Sequence, residues 1–247
     1  MLAVRRNDPG AFRVFTITGT PNATISDLTI SNGDAGASFG GGIYSTGGNL
    51  TLDAVAVAAN KAANGGGVVK SGGVLTIRNS TISGNSTQFQ AGGIFTFNVV
   101  SMLVVNSTIS GNTCNSQGGG ILFGETTAGT FPLTIVNSTI TNNTAGPEGD
   151  SSGGGGISIF SQATPGPTIQ ARLKNTVVAG NSPTNFKVDL DGGSTNADYI
   201  SDGYNLDGDG TSGFANGVNS DIVGTTGTPI NARLAPLASN GGPTQTH

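Results

Sequence analysis

The apolar residues of this chain alternate with polar ones in short runs and nowhere recur at helical spacing. In residues 75–85, Leu-Thr-Ile-Arg-Asn-Ser-Thr-Ile-Ser-Gly-Asn, Leu75 and Ile77 fall on one side and Thr76 on the other, while Ile82 opposes Thr81 and Ser83. That is the period of a half-buried strand. The stretch returns at 103–112, at 133–143 and, eroded, at 171–181, with earlier copies starting at Ala23 and Leu50. Glycine segments at 40–43, 65–68, 91–94, 118–121 and 154–157 lie between the copies, their last residues 25, 26, 27 and 36 apart. A bend residue recurs as Asp27, Asp53, Asn79, Asn106, Asn137 and Asn175, at spacings of 26, 26, 27, 31 and 38.

Three short strands per coil, repeated about every 26 residues, predict an all-β solenoid, the parallel β-helix; leucine-rich, ankyrin and tetratricopeptide repeats need helical stretches that this pattern lacks. Strands of successive coils then stack about 4.8 Å apart, like residue on like residue. The columns expected inside are Ala23, Leu50, Leu75, Leu103, Leu133 and Ile25, Leu52, Ile77, Val105, Ile135. The bend residues are expected to form a structural ladder of amide hydrogen bonds, with glycine at the corners and the Asn of Gly-Asn in the left-handed region.

Residues 1–181 hold the coils, and 182–247 form irregular terminal coils and a closing region of the same domain, covering an open end. The two widest spacings mark insertions at 144–152 and 161–168, which become surface loops, where function tends to sit.

Composition narrows the chemistry. There are 42 glycines, 10% charged residues, 6% aromatics, no tryptophan, two glutamates and a single histidine at position 247. Few rings suit a narrow interior. A net charge of -4 with scattered Lys and Arg offers no basic stripe, so nucleic acid is not an expected partner. No run of about 18 apolar residues is present to span a membrane, and residues 1–10 lack the apolar core of a secretory signal. Strand pattern already at 12–17, and an end soon after a Gly-Gly-Pro turn, give the expectation of a piece from a longer protein. Cys114 stands alone, which excludes an internal disulfide and fits a small side chain in a loop or ladder.

The Asn-Ser-Thr-Ile-Ser-Gly-Asn copies with Gly-Gly-Gly-Ile between them resemble right-handed parallel β-helix repeats of bacterial surface proteins, among them polymorphic outer-membrane and autotransporter passenger proteins. The tail adds Gly203-Tyr204-Asn205-Leu206 and then Leu-Ala-Pro-Leu-Ala-Ser-Asn-Gly-Gly-Pro-Thr-Gln-Thr-His at 234–247, which resembles the closing signature of choice-of-anchor Q domain proteins. The resemblance implies an extracellular or cell-surface bacterial location, a sorting or anchoring signal outside this segment, and no established catalytic residues.

The expected function is therefore a non-catalytic extracellular scaffold or adhesin-like region whose partner is a glycan or a host or cell-surface ligand. The alternative is a carbohydrate-active β-helix of pectate lyase type, or one that binds polysaccharide without cleaving it. Cleavage needs paired carboxylates or a base, for which Glu125, Glu148 and Asp150 are the candidates. Asp27 and Asp53 occupy the bend column and are assigned to the ladder. Asn205, Asp207 and Asp209, followed by Gly210, match the first half of a calcium loop without its closing glutamate; Asp189 and Asp191 lie nearby. No other cofactor is expected. Sequons at Asn22, Asn49, Asn79, Asn85, Asn106, Asn137 and Asn142 include three bend residues, for which the ladder is the better explanation. Thr29 with Ser31, Thr81 with Ser83, Thr108 with Ser110 and Thr139 with Thr141 are expected as outward hydroxyl columns, as in ice-binding solenoids, though Val55, Val57, Val177 and Ala179 interrupt them and threonine favours exposed strand positions anyway.

Overall fold

In the computed structural model, which describes residues 2–146, 153–161, 168–190 and 196–247, the chain winds as a right-handed parallel β-helix of about seven coils. Each coil gives one strand to each of three parallel sheets. The glycine sheet holds Phe15–Ile17, Ile43–Thr46, Val68–Ser71, Ile94–Phe97, Ile121–Glu125, Ile157–Ser161 and Phe186–Leu190. The second sheet, from the Leu-Thr-Ile pieces, holds seven strands from Ala23–Ser26 to Asn196–Ser201. The third, from the Ser-Thr-Ile pieces, has nine, from Leu2–Arg5 to Ile222–Val223. In-register pairing thus runs on past residue 181.

The inward columns follow the pairing. Leu50, Leu75, Met102, Leu133 and Ala171 form one, and Leu52, Ile77, Val104, Ile135 and Leu173 the next, all fully buried. Leu103 and Val105, expected inside, lie instead on the outer side, because the strand Ser101–Val105 is in phase with its bend Asn106 rather than with the leucine that opens the copy. One residue of slip reverses every side chain.

Each letter of Asn-Ser-Thr-Ile-Ser-Gly-Asn has its own place. The bend Asn takes the left-handed region, with φ of 52° at Asn79, 49° at Asn106, 50° at Asn137 and 48° at Asn175. Side-chain amides bond along the surface at the bends: Asn79 Nδ2 donates to Asp53 Oδ1 (3.0 Å), Asn106 to Asn79 (3.4 Å), Asn137 to Asn106 (3.2 Å) and Asn175 to Asn137 (2.9 Å). Asp53, expected at the bend itself, sits one residue before it, paired with Ser26 and Arg78, and the left-handed bend of that coil is Ala54 (φ 54°). Asp27 takes the same backbone conformation (φ 59°), and its N–H donates to the Asp53 carbonyl (3.1 Å). The Ser after the bend builds a second ladder, in which the Ser80, Ser107 and Ser138 hydroxyls accept the N–H of Val55, Ser80 and Ser107 one coil back (3.1, 3.1 and 3.2 Å).

The closing Asn makes a third ladder, this one buried. Asn60, Asn85, Asn112, Asn143 and Asn181 each donate Nδ2 to the Oδ1 of the next asparagine, the last to Asn185, over 2.9–3.1 Å. Their second Nδ2 protons go to the carbonyls of Ile30, Val57, Ile82, Ile109 and Ile140 (2.9–3.0 Å). From Asn85 to Asn181 the Oδ1 also accepts the backbone N–H of the asparagine before it (3.0 Å at each step). Every polar atom of these buried amides is satisfied. The left-handed residue expected at this Asn is the glycine before it, at Gly84 (φ 61°), Gly111 (65°) and Gly180 (69°).

The glycine arches close over this ladder. A Cβ on Gly93 would stand 2.5 Å from the Gly120 carbonyl oxygen and 3.1 Å from the Asn112 amide, so only glycine lets the arch lie on the amides.

Replacing Asn112 by alanine orphans the Asn85 donors and the groups that Asn112 itself serves, in a dry interior. Unfolding free energy should drop by roughly 2–5 kcal/mol, since each orphaned buried group costs about 1–3 kcal/mol. Asn137→Gly, which removes an exposed amide and keeps the left-handed corner, should cost about 1 kcal/mol or less. Denaturant midpoints of the two variants check this; equal losses would deny the buried ladder its weight.

Candidate functional site

The sequence candidates separate once placed. Glu125 is fully buried, facing the interior of the coil from the end of Ile121–Glu125. Glu148, Asp150 and Asp191 lie outside the described residues, as does most of both insertions, and Asp189 is described only through its backbone, paired with Phe160. Asp53 sits in the surface ladder, its carboxyl held below the usual range by the Asn79 amide and by the Arg78 guanidinium at 2.9 Å. Cys114 is buried and its thiol is pushed up by that burial.

Asn205, Asp207 and Asp209 end the ladders. Asp207 Oδ1 accepts Asn185 Nδ2 (3.2 Å) as the last rung of the buried ladder, and also the N–H groups of Asp209 and Gly210 (3.2 and 3.1 Å). Its Oδ2 accepts the N–H and hydroxyl of Ser212 (2.9 and 2.5 Å). Asn205 continues the serine ladder by accepting the Thr176 N–H (3.1 Å), and it donates to Asp221 (3.2 Å). Asp209 accepts the Asn185 N–H (2.8 Å) and the Thr211 N–H and hydroxyl (3.1 and 2.6 Å). Among the described residues no three His, Cys, Asp or Glu side chains gather into a metal-holding group.

The hydroxyl columns are only in part open to solvent: Thr29, Ser31, Ser83 and Thr139 are half-buried. Thr81, Thr108, Ser110 and Thr141 are at most 5% exposed. The closing segment folds back along this face, where the Thr81 hydroxyl donates to the Gln245 carbonyl (2.5 Å), that of Thr244 to the Asn79 carbonyl (3.2 Å), and Ser110 Oγ meets His247 Nε2 (2.7 Å). Paired bonds between Ala238 and Thr246 (2.9 Å each) turn the segment on itself. It covers a flank of the coils.

The open feature is an aromatic groove on the outer face of the glycine sheet, a site the sequence reading passed over. Outward positions there form two columns: Tyr44, Val69, Phe95, Leu122, Ser158 and Thr46, Ser71, Phe97, Gly124, Phe160. Phe39, from the approach to the first glycine arch, lies across the small Val69 and Ser71, with its ring 6.4 Å from those of Tyr44 and Phe95 and 6.3 Å from that of Phe97. Phe95 and Phe97 are 5.4 Å apart. Gly124 leaves a gap in the second column between Phe97 and Phe160, two coils or about 10 Å apart along the axis. The cavity is about 420 Å³, lined by Phe39, Phe95, Phe97 and Phe160 with the amides of Asn64 and Gln90 and with Thr126. At one end Arg13 stacks on Tyr44 (4.8 Å) and gives its N–H groups to the carbonyls of Phe39 and Gly40 and to Ser38 Oγ, so the cation clamps Phe39. The available signal was the Phe-Thr-Phe alternation at 95–97, with both rings on the outward phase.

Two ionisable groups are buried behind this same sheet. Lys70 is fully enclosed, its ammonium held by the carbonyls of Gly47 (2.9 Å), Ser71 (3.1 Å) and Gly72, and burial lowers its pKa from 10.5 to about 8. Glu125 Oε1 accepts the Val99 N–H (3.0 Å), Oε2 has no partner, and burial raises the carboxyl from 4.5 to about 8. Between pH 4.5 and 8 the folded chain keeps a Glu125 proton that the unfolded chain has lost, so stability falls as pH rises. Between pH 8 and 10.5 the unfolded chain keeps a Lys70 proton that the folded chain has lost, so stability climbs. These two groups therefore place a minimum near pH 8, with arms of at most about 1.4 kcal/mol per pH unit each. Denaturant midpoints across this range should show the trough, with Glu125→Gln flattening the acid arm and Lys70→Met the alkaline arm.

No helix among the described residues is long and apolar enough to cross a membrane. No curated protein and no solved structure matches the chain. The family model described as "Right handed beta helix region" matches residues 14–204, which takes in the aromatic groove and every strand of the three sheets except Leu2–Arg5, Leu206–Asp207 and Ile222–Val223. The chain belongs to the family of right-handed β-helix regions.

Proposed function

We propose that this chain is a non-catalytic, extracellular β-helix scaffold of a bacterial cell-surface or secreted protein that binds an uncharged glycan in the aromatic groove of its glycine sheet. The observation carrying this is the group of exposed Phe39 and partly exposed Phe95, Phe97 and Phe160 around the gap at Gly124. The C–H faces of a pyranose ring are slightly positive and rest on the negative faces of aromatic rings, while side-chain amides take its hydroxyls. Asn64, Gln90 and Thr126 supply such groups at the rim. None of the described lining residues is charged, and the guanidinium of Arg13 is already engaged, so nothing there recognises a uronate or a sulfate. Among the described residues the groove is lined by no carboxylate, since Glu125 points into the core.

The location is inferred from the repeat pattern together with the closing segment at 234–247, which is also what supports membership of the choice-of-anchor Q group.

A glycan array presenting neutral and acidic oligosaccharides tests the function. Binding should be confined to neutral glycans, with no product formed, and should weaken at least about tenfold in Phe97→Ala and Phe160→Ala, as expected from removing a stacked ring worth about 1.4 kcal/mol. Binding of acidic glycans alone, or binding untouched by either substitution, would sink the proposal.

A further inference from the structure

We infer that Glu125 is a positioning residue for the aromatic groove, a buried latch beneath its floor that holds when the carboxyl carries a proton and releases when it does not. The geometry is a pair of opposed clasps between neighbouring coils. From the inner side of Ile121–Glu125, Glu125 Oε1 accepts the N–H of Val99 at 3.0 Å. From the coil before, Asn98, in the left-handed region at φ 54°, accepts at Oδ1 the N–H of Thr126 (3.0 Å) and its hydroxyl (2.8 Å). Residues 97–99 are thereby tied to residues 124–126. Phe97, Gly124 and Thr126, the outward members of these two segments, all line the groove.

The second oxygen decides the state. Glu125 is fully buried and Oε2 has no hydrogen-bond partner, an arrangement a neutral acid tolerates and a carboxylate does not. Once the proton leaves to solvent, the charge must find water or a donor, and the side chain can follow it only by giving up the Val99 N–H. The strands packed on either side, Ile94–Phe97 and Ile157–Ser161, carry no acid or base, nor do Ser101–Val105 and Thr130–Val136 of the second sheet. Among the described residues, Lys70 lies two coils back in the column of Phe123, bound to the carbonyls of Gly47, Ser71 and Gly72, and Tyr199 lies two coils on, its hydroxyl shared between the carbonyls of Ile157 and Lys187. Neither supplies Glu125 with a counter-charge by hydrogen bond. The consequence for binding rests on the groove being the sugar site; the latch does not.

The test follows the backbone amide resonances of Phe97, Gly124 and Thr126 in the full chain, without ligand, from about pH 6 to 10. All three should shift together with a midpoint near pH 8. In Glu125→Gln the titration should vanish, and in Lys70→Met it should keep its midpoint. Amides that stay still, or that titrate equally in Glu125→Gln, overturn the latch. If Glu125→Gln does not fold, Glu125→Met carries the same expectation. With cellohexaose as the neutral probe, affinity should fall about tenfold at one pH unit above the midpoint, as the competent fraction drops to about a tenth, and Glu125→Gln should stay flat. Titrating amides with no cellohexaose binding would support the latch and count against the sugar site, whereas pH-independent binding beside titrating amides would overturn the coupling between them.

Discussion

Everything in this fold depends on the buried asparagine ladder. An amide with two donors and two acceptor sites is satisfied in a dry interior only if another amide stands directly above it and another directly below. Coil height and register are therefore fixed at one point per turn, and the apolar columns, the serine ladder and the outer columns inherit that register. The ladder also needs ends. At the start, the Gly33 N–H donates to Asn60 Oδ1 (2.9 Å), and at the finish Asp207 accepts from Asn185. A group that only accepts is what a chain of donating amides requires at its last rung, and Asp221 serves Asn205 in the same way. The acidic character of the terminal region thus has a structural cause at two of its residues.

The solenoid and its pitch were legible because strand period and bend spacing are strictly local. The phase within a coil was harder. From bend to closing asparagine is six residues in four successive coils, Asn79 to Asn85, Asn106 to Asn112, Asn137 to Asn143 and Asn175 to Asn181, whereas strands of the second sheet run from 4 to 7 residues. Counting from Leu103 therefore put Leu103 and Val105 inside, and counting from Asn106 puts Met102 and Val104 there. The roles of Gly and Asn in Gly-Asn were exchanged for a similar reason: either can adopt the left-handed conformation, and only the neighbouring coil shows which one faces it. The fold-back of the tail onto Thr81 and Ser110 links residues more than 130 apart and leaves no periodic trace.

The aromatic groove was invisible for a different reason. Few aromatics suit a narrow core, yet the rings that matter lie outside it. Their grouping depends on two coils having small outward residues where others have rings: Val69 and Ser71 let Phe39 lie across, and Gly124 opens the gap. Of the three outer faces, the Ser-Thr-Ile face is covered by the tail, and the second sheet presents Thr24, Thr51, Thr76, Leu103 and Thr134 in one outward column. Among the described residues, aromatic rings gather in the open on the glycine face.

Departures from the repeat concentrate beneath that same face. The inward column Ser45, Lys70, Thr96, Phe123 places a lysine and a threonine where a stack of like residues would keep an apolar one, and Thr96 Oγ1 has no hydrogen-bond partner. Glu125, two residues beyond Phe123, adds an acid with a bare oxygen. A solenoid can remove such groups by copying a neighbouring coil, which costs nothing in register and recovers stability, because an unsatisfied buried polar group costs about 1–3 kcal/mol. Their persistence on one side of a narrow core, behind the one exposed aromatic face, is the pattern expected where local stability has been given up for a site. The second sheet makes the contrast plain: its inward columns from Leu50 to Leu173 are apolar without exception, and its described outward residues include no aromatic cluster.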